Sequence, residues 1–151
     1  MSALNKLFKT YKTDVEFFVV YIREAHASDS RRPDPVLDVK QPKTFVERLG
    51  VANTCRSDLG LKLPMLIDGL ENKTEAAYGA WPDRLFLVDT KGVLAYRGGP
   101  GPRGFKPAEL EAAIKRVLGG SSATKTKAYT EAELKAIRER LRARRRASLG
   151  D

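Results

Sequence analysis

The sequence predicts an α/β domain in which a mixed β-sheet is flanked by helices, and three observations support this. Residues 17–22 are continuously apolar, as expected for a strand covered on both faces. Residues 42–59 and 107–118 repeat apolar side chains every three or four positions, which is the period of a helix. Predicted helices and strands alternate along the chain, and strands that are separated by helices pair in parallel.

The first half of the chain is predicted to contain two helices and one strand. Residues 3–12 carry apolar side chains at helical spacing, and residues 14–22 read as the strand. Ser, Asp, Arg and Pro dominate residues 23–38, which predicts a loop. Residues 42–59 read as the second helix, and its apolar positions form one stripe that we expect to be buried: Phe45, Leu49, Ala52, Cys55 and Leu59.

The second half is predicted to add short strands, a hairpin and two helices. Residues 64–68 read as a strand, and residues 72–78 as a short helix that ends at Gly79. The turn at Lys91–Gly92 joins two apolar runs into a hairpin. Its strands span residues 84–89 and 93–97, a Gly/Pro loop follows at 98–104, and Pro107 opens an amphipathic helix that runs to Leu118.

Charge divides the chain into a domain and a basic tail. We expect a domain at 1–118, a small polar linker at 119–129 and a basic helix at 130–151. Residues 125–151 hold nine Lys and Arg against four Asp and Glu, so more than half of the net charge of +9 lies there. Tyr129 is the only aromatic residue in this region, which favours a solvated helix over a nucleic-acid site, although nucleic acid stays a lesser alternative.

Several functional classes are disfavoured by composition. No apolar run approaches about 18 residues, so we expect no membrane partner, and no secretory signal is visible, so the expected location is cytoplasmic. One cysteine excludes an internal disulfide and a Cys-rich zinc site. The Gly-x-Gly-x-x-Gly spacing at 99–104 contains Pro100 and Pro102, which lack the N–H donors of a phosphate cradle, so we expect a structural turn.

Four segments, taken in order, resemble one known family. Residues 81–93, a proline before a strand and a hairpin, resemble the thioredoxin superfamily. The other three narrow the resemblance to the iodothyronine deiodinase family, in the form of its bacterial members: the strand and Glu-Ala-His loop at 18–29, the Asn-x-x-x-x-Ala-Tyr-Gly-Ala segment at 72–80 and the Gly/Pro loop at 98–105. The resemblance implies a thioredoxin-like fold over residues 3–118, with Trp81–Pro82 as a cis peptide bond that faces the active site.

The resemblance also implies a thiol- or selenol-dependent oxidoreductase of a selenoprotein family. A selenolate or thiolate would attack a halogen on a small aromatic substrate, His26 would help to deliver a proton, and Glu24 would orient His26 or line the pocket. Trp81 and Pro82 would contact the substrate. No cofactor is expected besides an external thiol reductant, and a homodimer stays open.

The sequence departs from the family at functional positions. The family places its selenocysteine or cysteine, followed by Pro-Pro-Phe, after a first strand, whereas this chain starts inside the next helix, so we expect the strand and the nucleophile to be missing from it. An in-frame UGA or Cys codon upstream of Met1 would explain this. Ser30-Arg31 replaces the family's Gly-Trp, and the second histidine of the animal enzymes, expected near Gln41-Pro42, is absent.

Two other interpretations remain. The chain could be a non-catalytic thioredoxin-like binding module whose basic tail contacts nucleic acid or an acidic partner. Cys55 could serve a one-cysteine peroxidase, but it has no CxxC partner and lies on the predicted apolar stripe, which favours a core role.

Overall fold

The computed structural model describes residues 3–36 and 38–120. It is an α/β domain, as predicted, and its elements follow the predicted order: α1 (Ala3–Tyr11), β1 (Val19–Tyr21), α2 (Phe45–Asp58), β2 (Met65–Ile67), α3 (Lys73–Tyr78), β3 (Phe86–Val88), β4 (Leu94–Arg97) and α4 (Pro107–Gly120). The predicted basic helix at 130–151, and the linker beyond Gly120, lie outside the described residues. In the described part of the chain, no helix combines the length and apolar character needed to cross a bilayer.

The described strands form two separate two-stranded sheets where we predicted one mixed sheet. β1 pairs in parallel with β2, and Val20 lies opposite Leu66. β3 pairs antiparallel with β4, with an irregularity between Leu87 and Val88. Within the described residues β1 and β3 form no ladder with each other, so both outer edges of each two-stranded sheet lack a strand partner.

β1 is much shorter than the strand predicted over residues 14–22. The Val15 N–H donates to the carbonyl oxygen of Tyr11 at 2.8 Å, so the chain still turns at the end of α1. The ladder begins only where the Val19 N–H reaches the carbonyl oxygen of Pro64 at 2.9 Å. Apolar composition predicted the strand, but pairing with β2 decides its length.

The hydrophobic core lies where α1 and α4 pack against the β3–β4 hairpin. Its buried members are Leu7 of α1, Leu85 and Leu87 at β3, and Leu110, Ala113 and Ile114 of α4. The first and the last helix therefore share one core, although they are about a hundred residues apart in sequence.

A buried asparagine ties α1 to the turn between α2 and β2. The Asn5 Nδ2 donates to the carbonyl oxygen of Gly60 at 2.8 Å, and its Oδ1 accepts from the Lys62 N–H at 2.9 Å. These bonds satisfy backbone groups just past the C-terminus of α2, where helices leave carbonyls unpaired.

The Gly/Pro loop at 98–104 is a tightly packed turn. The Gly101 N–H donates to the carbonyl oxygen of Asp83 at 3.0 Å, and the Gly104 N–H to that of Pro100 at 2.9 Å. A side chain at Gly101 would collide with the Asp83 carboxylate, and one at Gly104 would collide with the Gly99 backbone. Close backbone approach therefore explains these glycines, as the structural-turn interpretation expects.

We predict that Ile114→Ala lowers the free energy of unfolding by about 2–5 kcal/mol, because Ile114 is fully buried between α4 and the hairpin. Leu118→Ala, one turn later on the same helix, removes a side chain that is 37% exposed and should cost far less. Urea denaturation followed by circular dichroism measures both. Equal losses for the two variants would contradict the placement of the core.

Candidate functional site

A cleft of about 710 Å³ opens beyond the carboxyl end of β1. Its walls come from the loop at 23–30, the segment 41–48 that leads into α2, the β2–α3 loop and Trp81. This is the edge at which parallel strands deliver their following loops, and open α/β sheets bind ligands there. The cleft therefore has the position expected of a functional site.

The structure brings two of the predicted site residues together in this cleft. Glu24 and Trp81 both line it, although they are far apart in sequence. Trp81–Pro82 is a cis peptide bond, as the resemblance implied. The Arg23 guanidinium lies 5.7 Å from the centre of the Trp81 ring, which is a cation–π distance.

His26 lies at the border of the cleft. Its neighbours Ala25 and Ala27 line the cleft, whereas the imidazole itself is exposed. The Nδ1 is 3.0 Å from the carbonyl oxygen of Arg32. A carbonyl only accepts, so Nδ1 carries the proton in this bond and Nε2 of the neutral ring is left free to accept another. The catalytic role of His26 stays a prediction.

Glu24 is half-buried and has an unusual electrostatic environment. Burial raises the pKa of its carboxyl group, and the nearby positive charge of Arg48 offsets only part of this effect. Arg23, which could have neutralised Glu24, pairs instead with Glu75 at 2.8 Å. Glu24 therefore holds a proton more readily than an exposed glutamate does.

Arg48 is a site residue that the sequence analysis missed. The Thr44–Glu47 capping box starts α2 at Phe45, and Arg48 follows one turn in, with only 1% of its surface exposed. Its Nη1 donates to the carbonyl oxygens of Asp68 (3.1 Å) and Gly69 (2.7 Å) and to the Asn72 Oδ1 (2.9 Å). One guanidinium thus fastens the β2–α3 loop to α2.

The predicted apolar stripe of α2 is wrong at three of its five positions, whereas Ala52 is buried as predicted and Cys55 is half-buried. Phe45, Leu49 and Leu59 are all exposed, and the face turned inward carries Arg48 and Ala52. Residues 48, 52 and 55 also follow helical spacing, so the pattern was present in the sequence. Only the positive charge of Arg48 argued against that face, because charged residues are rarely buried.

Asp68 forms the other half of the loop anchor. Its two carboxylate oxygens accept hydrogen bonds from the N–H groups of Thr74 (3.1 Å) and Glu75 (2.9 Å) at the start of α3. Burial works to raise the pKa of Asp68, but these donated bonds outweigh it and hold the pKa below its ordinary value. Asp68 therefore acts as an ionised cap of α3.

Cys55 does not have the environment of a nucleophile. It is half-buried, and its pKa is raised by burial and by the negative charges of Glu24 and Asp58. A reactive cysteine needs a lowered pKa, so these surroundings favour the structural interpretation. No cluster of three or more His, Cys, Asp or Glu residues that could hold a metal occurs in residues 3–36 and 38–120.

Known proteins resemble the same region of the chain. Residues 1–118 match the family model described as iodothyronine deiodinase. The chain is 32% identical over 117 residues to thyroxine 5-deiodinase from Ovis aries, a match that covers 77% of this chain and 39% of the relative. It is 29% identical over 116 residues to type I iodothyronine deiodinase from Xenopus laevis, covering 77% and 45%. The chain thus spans about two fifths of the length of these relatives.

We predict that Asp68→Asn lowers the free energy of unfolding by about 1–3 kcal/mol at pH 7, because the two helix N–H groups bind different carboxylate oxygens and the amide replaces one of these acceptors with an NH₂ donor. The pKa of Asp68 is lowered on folding, so its contribution is present above its ordinary value of 3.8 and is lost as the pH falls through the folded value. Urea unfolding from pH 3 to pH 7 measures this, with exposed Asp38→Asn as the control. A loss independent of pH would contradict the ionised cap.

We predict the opposite trend for Glu24→Gln. The folded pKa of Glu24 is raised above its ordinary value of 4.5, so the parent loses stability as the pH rises from that value through the folded one. The glutamine variant should therefore gain stability relative to the parent between pH 4 and pH 7. Glu71→Gln, at an exposed position, should show no such gain. The raised pKa would be refuted if the difference in free energy of unfolding between Glu24→Gln and the parent did not change with pH.

Proposed function

Because this chain belongs to the iodothyronine deiodinase family, we propose that it takes part in the reductive removal of a halogen from a small aromatic substrate, with thiols as the source of electrons. The observation that carries the proposal is the cleft beyond β1, which is lined both by Trp81 and by Glu24, a half-buried carboxyl group with a raised pKa. Enzymes often tune a carboxyl group in this way for proton transfer.

The proposal requires a nucleophile that the 151 residues do not supply. Cys55 is the only cysteine, and its raised pKa disfavours the thiolate. We therefore assign the nucleophile to a selenocysteine or cysteine encoded next to this sequence. The cleft would receive it beside Glu24 and Trp81.

The chemistry can be written with atoms and electrons balanced. His26 Nε2 accepts the proton of the selenol or thiol, and the resulting anion attacks the halogen of the substrate. The carbon–halogen bond breaks with its electron pair on carbon, and that carbon takes the proton back from His26 while a selenium– or sulfur–halogen bond forms. An external thiol then displaces halide to give a mixed disulfide or selenenyl sulfide, and a second thiol regenerates the nucleophile and leaves as disulfide.

Glu24 has a supporting part in this scheme. Burial raises its pKa, so it holds a proton more readily than an exposed glutamate and can, when protonated, donate a hydrogen bond to the substrate. Trp81 lines the same cleft, whereas Pro82, which follows it through the cis peptide bond, is not among the lining residues. We place the reaction in the cytoplasm, where thiol reductants are abundant. The proposed partners are the thiol reductant and the aromatic substrate, and the proposal does not depend on whether the protein forms a homodimer.

The alternative is a non-catalytic binding module that uses the basic residues 125–151, which lie outside the described residues. It predicts salt-sensitive binding to RNA or DNA that disappears when these residues are deleted. Binding that survives the deletion would exclude it.

The decisive test begins with the genomic DNA upstream of the Met1 codon, where we predict an in-frame UGA or Cys codon followed by codons for Pro-Pro-Phe. The extended protein should release iodide from an iodinated phenol in the presence of dithiothreitol. His26→Ala should lower kcat by about 10²–10⁴-fold, the range for a lost proton-transfer group. Glu24→Gln should lower kcat less, since the amide keeps the shape of the side chain and can still donate a hydrogen bond.

The control for both variants is Glu71→Gln, which lies outside the cleft and should keep full activity. Unrelated upstream sequence would refute the proposal. The proposal would also be refuted if the 151-residue chain alone released iodide and Cys55→Ala abolished this activity, because Cys55 would then be the nucleophile.

A further inference from the structure

Arg48 carries a buried positive charge that the fold does not neutralise by direct contact. The residue is 1% exposed, and no described carboxylate forms an ion pair with it. Burying a charged group without a counter-ion is costly, so buried arginines are normally paired. Arg48 is nevertheless among the residues that line the cleft, so a ligand seated there lies next to it.

The hydrogen bonds of Arg48 leave one side of the guanidinium unused. All three bonds to the β2–α3 loop come from Nη1. The Nε is buried without a partner, and Nη2 donates to none of the described residues. The N–H bonds of Nε and Nη2 point in the same direction, and this fork matches the two oxygens of a carboxylate.

The rest of the cleft indicates what kind of acid fits. Leu70 and Trp81 provide exposed apolar surface, which suits an apolar ligand body. The lining holds three positively charged residues (Arg23, Lys43 and Arg48) and two negatively charged ones (Glu24 and Asp29), and the resulting net charge of 3 − 2 = +1 matches one carboxylate better than a doubly charged phosphate. A singly charged carboxylate is therefore the better match.

We propose that the Nε/Nη2 side of Arg48 binds the carboxylate of an apolar organic acid whose body lies against Leu70 and Trp81. The inference rests on the proposed function only in placing the ligand in the same cleft. Arg48 then has two roles, because Nη1 holds the loop and the opposite side of the guanidinium holds the ligand.

Binding can be measured on the 151-residue chain without turnover. Trp81 is the only tryptophan, so its fluorescence reports on the cleft directly. We expect 3-phenylpropionate to change this fluorescence saturably and to bind at least about tenfold more tightly than 3-phenylpropan-1-ol, which has the same body but no charge. In ¹⁵N-labelled protein, the acid and not the alcohol should shift the Nε–H signal of Arg48.

Two variants sharpen the test. Arg48→Lys keeps the charge but loses the fork, and it should weaken binding of the acid at least about tenfold, whereas Arg56→Lys, exposed on the same helix, should not. Glu24→Gln removes a nearby negative charge and should tighten binding of the acid but not of the alcohol. Should Arg48→Lys fail to fold, the acid–alcohol comparison and the Nε–H shift on the unaltered chain still decide the question.

The outcomes separate this inference from the proposed function. Equal affinity for acid and alcohol, or an unmoved Nε–H signal, would overturn the carboxylate site and leave the redox proposal standing. Selective binding of the acid together with unrelated upstream DNA would support the site and remove the redox proposal.

Discussion

The cleft depends on the burial of the Arg48 guanidinium. α2 and the β2–α3 loop meet at this group, because one nitrogen of Arg48 satisfies three oxygen acceptors of the loop. Asp68 completes the anchor by capping α3 with its carboxylate. A loop that would otherwise carry unpaired carbonyls is thereby fixed, and it forms one wall of the site.

The same guanidinium sets the electrostatics of the site. Its charge acts on Glu24 without forming an ion pair, so burial dominates and the pKa of Glu24 rises. Cys55, on the same face of α2, has a raised pKa because Glu24 and Asp58 add negative charge to the effect of burial. The same surroundings therefore raise the pKa of both Glu24 and Cys55. This suits Glu24 to holding a proton and makes Cys55 a poor nucleophile.

Most of the fold could be predicted from the sequence, because apolar periodicity and turn residues mark each element. The length of β1 could not, since its pairing with β2 begins only at Val19. Glu24 and Trp81 were expected at the site through the family resemblance, and the cleft brings them together. Arg48 was missed because its burial depends on acceptors twenty or more residues away, which no local pattern encodes.

The two hydrogen bonds of the Asn5 side chain connect distant parts of the domain. They join α1 to the turn that ends α2, while α1 also packs into the core with α4. Separating α1 from this turn would break both hydrogen bonds, so Asn5 holds the end of α2 to the core that α1 shares with α4. The parts of the cleft wall at 23–30 and 41–44 lack such support, because the chain forms no helix or strand there.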